Sequence, residues 1–337
     1  MRKNIKLWVS LLAASAMAAL ILDTKTSFSG ALTGVQLCLQ TVIPSLLPFF
    51  VLSAYLGSRL AGLQLPFLTS LGRLCKIPAG SEPLLLLGFL GGYPIGVQNI
   101  MHAYESNILS LKTAQRMTLF CNNAGPAFLF GMAASLFSHW AVPWILWAIH
   151  IATALLLAAI LPREDQAICR KIETKEIPFT AAMEKGLKSM ALVCGWVIIF
   201  RVLSTFIERW FGFMLHPNTQ IFLVGFLELA NGCTSLNGIP CEGLRFILCA
   251  FFLGFGGLCV TMQTLAVCKI LPTGRYLYCK LLHGTISSFI AYVLHFTLFP
   301  QSQQLTFSPL ILGITVVFAL SLSIPIAKRK KVVAIHC

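Results

Sequence analysis

Pro83-Leu84-Leu85-Leu86-Leu87-Gly88-Phe89-Leu90-Gly91-Gly92-Tyr93-Pro94 decides how this chain folds. Residues 83–90 make about 12 Å of helix, which reaches only the midplane of a ~30 Å hydrocarbon core. Two glycines then permit the backbone to reverse, and Pro94 forbids the helix to continue. An apolar helix that stops halfway is expected to turn back, so 83–101 reads as a re-entrant hairpin rather than a span. Irregular backbone at that depth survives only against protein or a wet cavity. The stretch therefore predicts an all-α, polytopic membrane protein with broken helices of the transporter kind.

Composition agrees. The 337 residues are 57% hydrophobic and only 11% charged, whereas soluble domains carry about 25% charge. Mean hydropathy is +0.82. A soluble enzyme, a nucleic-acid binder, a disordered chain and a disulfide-stapled secreted domain are all excluded. The net charge of +14 is then a topology signal, and the final Lys328-Arg329-Lys330-Lys331 is a stop beside anionic membrane lipid. The twelve cysteines form no C-x-x-C pair and read as small packing residues. No metal and no cofactor are expected.

Apolar segments lie at 5–22, 33–57, 83–101, 117–137, 141–161, 189–207, 219–236, 246–268, 281–299 and 309–327. Were all ten to span, 14 Lys/Arg would lie inside and 10 outside, with the polar stretch 162–188 outside. With 83–101 and 219–236 as re-entrant hairpins, 21 lie inside and three (Lys25, Arg209 and Arg245) outside. The positive-inside rule selects this second arrangement of about eight transmembrane helices and two hairpins. Both termini and 162–188 are then cytoplasmic. The basic start (Arg2, Lys3, Lys6) and small residues at 13–19 also fit a cleavable signal; an uncleaved first helix suits the membrane-embedded remainder better.

A weak repeat brackets the linker. Phe50-Val51-Leu52-Ser53-Ala54-Tyr55 resembles Arg201-Val202-Leu203-Ser204-Thr205-Phe206; Gly88-Phe89-Leu90 recurs as Gly225-Phe226-Leu227; Asn123-Ala124-Gly125-Pro126 echoes in Gly254-Phe255-Gly256-Gly257. In the second arrangement 33–57 and 189–207 run in opposite directions, so the halves form an inverted repeat, as in many secondary transporters. The chain divides into an N-terminal transmembrane helix (1–29), a first half (30–161), the linker (162–188), a second half (189–327) and a basic tail (328–337).

Chemistry is expected at the breaks. Pro126 leaves the carbonyl of Asn122 without a ladder partner, which puts Asn122, Asn123 and Gly125 beside loose backbone inside one span. Pro44 and Pro48 predict a plain kink in 33–57. Arg201 and Glu228 are intramembrane charges, each costing at least ~2.5 kcal/mol at depth, so each should face a cavity or a partner. They either pair with each other or serve a solute: Glu228, with Asn231 at the second hairpin tip, carries a coupling proton or cation, and Arg201 meets an anion. The half-helix from Ile95 aims N–H groups and a positive dipole end inward, favouring a carboxylate between Gly91-Gly92-Tyr93-Pro94 and Asn122-Asn123. Arg201 reads as the available cation, since Gln98 supplies none. The seven histidines are scattered and no catalytic constellation appears, so no enzyme is expected and no residue is assigned a catalytic role.

Ile43-Pro44-Ser45-Leu46-Leu47-Pro48-Phe49-Phe50, Gly92-Tyr93-Pro94-Ile95-Gly96 and Cys121-Asn122-Asn123-Ala124-Gly125-Pro126, in this order over roughly 30–140, resemble the sporulation integral membrane protein family of the YlbJ type. Glu228-Leu229-Ala230-Asn231-Gly232 extends the likeness more loosely into the second half. The resemblance implies a nucleoside-recognition (Gate) core like that of concentrative nucleoside transporters. It also implies a role in endospore formation, at the membrane around the forespore, in moving dipicolinate and building the cortex. Family members often carry a lysine after Gly-Tyr-Pro-x-Gly and one small residue; here Val97 and Gln98 stand there. The expected partner is thus a small, anionic solute. The alternatives are a non-transporting scaffold or gate of a sporulation complex, and a nucleoside-type transporter.

Overall fold

With no water partner inside a bilayer, a chain this apolar must satisfy its backbone N–H and C=O groups within helices. A computed structural model describes residues 2–60, 63–133, 135–163 and 176–300, with side chains from residue 6 on, and every regular element among them is helical. The expected span 309–327 and the tail 328–337 lie outside the described residues.

Helix α1 (Arg2–Leu22) is apolar and largely exposed on its own. Asp23 accepts the N–H of Thr26 and caps α2 (Thr24–Leu37). A π-helical turn (Cys38–Val42) joins α2 to α3 (Ile43–Leu60). That wider turn accommodates Pro44, which has no N–H to give the ladder, and α3 continues through Pro48. The short α4 (Thr69–Leu74) leads into α5 (Glu82–Leu90), and α6 (Ile95–Glu105) returns against it, forming the expected hairpin.

Helix α7 (Leu111–Thr118) and α8 (Pro126–Ala133) flank seven non-helical residues, 119–125. This corrects the expected kinked span: Pro126 opens a helix, where a missing N–H removes nothing. Arg116 is buried; its guanidinium donates to the carbonyls of Cys75 (2.9 Å), Pro162 (2.8 Å) and Ala158 (2.7 Å). It thereby neutralises the C-terminal end of α9 (Val142–Ile160). Helix α10 (Phe179–Phe211) begins well before the expected span at 189, so 179–188 of the expected linker are helical. Residues 164–175 of that linker lie outside the described residues.

The second half follows the same order. A hairpin of α11 (Pro217–Leu227) and α12 (Leu229–Ser235) bends at Glu228. Helix α13 (Glu242–Phe255) meets α14 (Gly257–Val267) at Gly256 and Gly257, whose φ angles of 81° and 80° are open to glycine. Helix α15 (Thr273–Leu298) ends the described chain. Long helix, hairpin, broken pair, long helix thus occurs twice.

Among the described residues five stretches suffice, by length and apolarity, to cross a membrane: Thr24–Leu60, Val142–Ile160, Phe179–Met214, Glu242–Val267 and Thr273–Leu298. The chain is a multi-pass membrane protein. Helix α10 packs along α2 and α3, and α13 packs on α15. Helix α13 is buried from Gly243 to Phe255 apart from Arg245, and Phe251, Phe252 and Phe255 stack with Phe222 and Phe226 of α11. A helix apolar all round belongs at the centre of the bundle.

Candidate functional site

Four interruptions of helix meet in one place. The α5–α6 tip touches the 119–125 break backbone to backbone: a Cβ on Gly125 would stand 3.0 Å from the Cα of Gly92. Below the tip, the carbonyl of Cys121 enters between α5 and α6, where a Cβ on Gly88 or Gly96 would lie only 2.2 or 2.0 Å from its oxygen. Glycine at both positions is what lets the break approach. The second pair mirrors this. A Cβ on Gly257 would stand 3.1 Å from the carbonyl of Leu227 and 3.3 Å from the Cα of Glu228. Helices α11 and α12 cross at Gly225 and Gly232, with 2.0 Å between a Cβ on Gly232 and the Cα of Gly225. Tyr93 ties the pairs together, donating from its hydroxyl to the carbonyl of Leu253 at 3.1 Å. A small cavity of about 40 Å³ lies where they meet, lined by Tyr93, Ala124, Gly125, Glu228 and Ala230, with Leu46 of α3 and Val193 of α10.

Two buried charges flank this junction. Glu228 is 2% exposed, and its carboxylate accepts the N–H of Ala230 (2.9 Å), the N–H of Asn231 (2.7 Å) and Nδ2 of Asn231 (2.7 Å). It caps α12, where a negative charge meets the positive end of the helix dipole. Lys280 is 1% exposed on α15; its Nζ donates to the carbonyl of Asn122 at 3.1 Å and sits 4.8 Å over the Tyr93 ring. None of the ion pairs among the described residues includes it. The carbonyl freed by the break is therefore taken by a lysine that has no carboxylate partner among the described residues.

A buried polar network surrounds that lysine. Nδ2 of Asn122 donates to Tyr276 Oη (2.7 Å) and Thr264 Oγ1 (3.0 Å), and Nδ2 of Asn123 to the carbonyl of Phe120 (2.7 Å). The Oδ1 atoms of both asparagines are buried without a partner. His150 Nε2 accepts the N–H of Ala124 at 3.1 Å, which fixes that nitrogen as the bare one. His283 Nε2 donates to the carbonyl of His150 at 3.0 Å, and the two rings stack 4.6 Å apart. Among the described residues no cluster suits a metal ion.

YlbJ of Bacillus subtilis (strain 168), a sporulation integral membrane protein, is 26% identical over 302 residues, covering 74% of this chain and 72% of the relative. The chain resembles YlbJ-type proteins far beyond the motifs. No protein-family model and no solved structure matches it.

The YlbJ-like motifs fall on the junction. Gly91, Gly92, Tyr93, Pro94, Asn122, Asn123, Gly125, Pro126, Glu228 and Asn231 are brought together as expected. Two expected residues are not. Arg201 forms its direct ion pair with Glu208 of its own helix at 3.2 Å, and reaches Glu228 only as a nearby charge without a hydrogen bond. Gln98 turns away from the tip and bonds Ser189 Oγ of α10 at 3.1 Å, lining a different cavity. The start of α6 is closed by its own backbone, Ile95 N–H donating to the carbonyl of Gly92 at 2.8 Å. Sequence reasoning missed Lys280, counting it as cytoplasmic, and missed His150, His283, Tyr276 and Thr264. The available signal was Pro272, which starts α15 early enough to carry Lys280 two turns inside. Moving Lys280 into the core leaves the inside excess of Lys and Arg standing.

Proposed function

We propose that this protein is a secondary transporter of a small anionic solute, dipicolinate-like, working in the membrane around the forespore during endospore formation. The observation that carries the reading is Lys280. A buried cation with no internal carboxylate is unfavourable unless function retains it, and an arriving anion supplies the missing partner. The converging breaks support the same reading, because irregular backbone inside a membrane belongs beside a solute path. So does the recurring element order, read as two inverted halves with about eight spans, two re-entrant hairpins and cytoplasmic termini. Glu228, on the wall of the cavity, takes the coupling proton or cation. The relative's printed role in sporulation supports the setting.

A nucleoside-type solute is the second reading. It is favoured by Glu228 and by the free Oδ1 atoms of Asn122 and Asn123, which suit hydroxyl and N–H donors. Uptake of labelled pyridine-2,6-dicarboxylate and of labelled uridine into proteoliposomes separates the readings. Carriage of the dianion, lost in Lys280→Met, supports the first. Carriage of uridine alone, unaffected by Lys280→Met, supports the second. No uptake of either leaves a scaffold or gate of a sporulation complex as the better account.

A further inference from the structure

A second, larger cavity, about 310 Å³ and partly open to the surface, lies between α3, α6 and α10. Its position relative to the first is set by two helices at once. On α3, Phe50 lines the outer cavity and Leu46 the inner; on α10, Ser189 lines the outer and Val193 the inner. Each pair is one helical turn apart, about 6 Å along the axis. Between the cavities stands the α5–α6 tip, with Tyr93 facing inward and Ile95 outward. The two cavities thus lie about one helical turn apart along both helices, on either side of the tip.

The outer chamber carries its own polar equipment. Nδ2 of Asn99, on its wall, is buried and has no hydrogen-bond partner, a state unfavourable for an amide donor. Lys185 and Lys188 stand at its rim, opposed by Glu105. Lys188 is held by Glu184 at 2.6 Å, whereas none of the ion pairs among the described residues includes Lys185. Gln98 and Ser189, bonded to each other, bridge α6 and α10 across the chamber. The lining residues carry two cations against one carboxylate, and a volume of about 310 Å³ lies at the lower end of small-molecule sites generally, about 300–1,000 Å³.

The geometry points to this chamber as an outer binding site for a dissolved carboxylate-bearing anion, held by Lys185 and Asn99 one helical turn before the inner cavity. The inference rests on the transport reading for its purpose but not for its test. The full chain is placed in nanodiscs of zwitterionic lipid, and equilibrium binding of labelled pyridine-2,6-dicarboxylate is measured. Two classes of site are expected in the unaltered protein. Lys185→Gln with Asn99→Leu should weaken one class at least about tenfold and leave the other, while Lys280→Met should do the reverse. Lys185 is exposed, so Lys185→Gln alone, expected to weaken the outer class about threefold, gives a variant whose folding is not at issue. A single class of site removed by Lys280→Met, or an outer class indifferent to Lys185 and Asn99, overturns the outer site and leaves the transport reading intact. A Lys185-dependent site in a protein whose binding ignores Lys280 upholds the outer site and sinks the inner one. Displacement by phosphatidylglycerol but not by excess free acetate assigns the chamber to a lipid headgroup and overturns the proposal, as does no binding at all.

Discussion

The two hairpins solve one geometric problem with different chemistry. In the first, the tip is Gly91-Gly92-Tyr93-Pro94, the break it meets is closed by amides, and the charge beside it, Lys280, arrives from the other half of the chain. In the second, the tip is itself a charge, Glu228, held by Ala230 and Asn231, and the break it meets is bare glycine. Backbone geometry is shared; charge is divided. On the transport reading proposed above, a lysine behind Tyr93 and a carboxylate on the cavity wall would serve a solute anion and a coupling cation separately. Simple duplication would have placed like groups on both sides.

The sharpest way to break the comparison is to fill the helix crossings. Gly96→Val and Gly232→Val each drive a branched side chain into backbone that a bare Cβ already meets at 2.0 Å. Each should destabilise by about 3 kcal/mol or more, since neither a carbonyl nor a Cα can move aside as a side chain does. Thermal unfolding in detergent reads this out. Equal losses in the two hairpins support a shared design, while a silent Gly232→Val would show that the second crossing is loose.

Next come the tips. Glu228→Leu removes the acceptor of three buried donors and should lower stability by about 2–4 kcal/mol. Glu228→Gln keeps an acceptor for part of the cap and should lower it by less than about 1.5 kcal/mol, while abolishing any dependence of uptake on a proton or cation gradient. Retained coupling in Glu228→Gln would take the charge of the second hairpin out of the mechanism.

A smaller effect belongs to the first break. Asn123→Leu leaves the carbonyl of Phe120 buried and unpaired, and should cost about 1–3 kcal/mol, again by thermal unfolding. Smallest is Arg201→Gln. Its partner Glu208 is half-exposed on the same helix, so stability should fall by less than about 1 kcal/mol and uptake should stay within threefold. A large loss of uptake would restore Arg201 to the solute path.

Much of the fold was legible because proline and glycine act locally. Gly91-Gly92 with Pro94 fell at a real reversal between α5 and α6, and the faint echo of Asn123-Ala124-Gly125-Pro126 in Gly254-Phe255-Gly256-Gly257 fell on two real breaks. The second hairpin was harder to see because Glu228, not a glycine or proline, makes its bend. Pro126 was misplaced for the opposite reason: an isolated proline reads equally as a kink or as a helix start, and only the unwound 119–125 decides. The site was less legible than the fold. Arg201 stood out because it lies among apolar neighbours, and it pairs with Glu208 two turns on, leaving its Nε buried without a partner. Lys280 follows Arg275 and so looks like the edge of a loop. Its burial comes from packing against Asn122 and Tyr93, more than 150 residues away in the chain. Such a contact has no local signature.

The claim that Lys280 waits for an anion is tested most directly by ligand-induced stabilisation. Unfolding temperature is measured for the unaltered chain and for Lys280→Met, with and without saturating pyridine-2,6-dicarboxylate. An uncompensated buried charge replaced by an apolar group should leave the unliganded protein as stable or more so. Ligand at about 100 times Kd should stabilise the unaltered chain by about 2.7 kcal/mol, and at the same concentration should do far less for Lys280→Met. A variant that unfolds earlier without ligand, yet gains as much from the dianion as the unaltered chain, would show that Lys280 is a structural group and that the anion is held elsewhere.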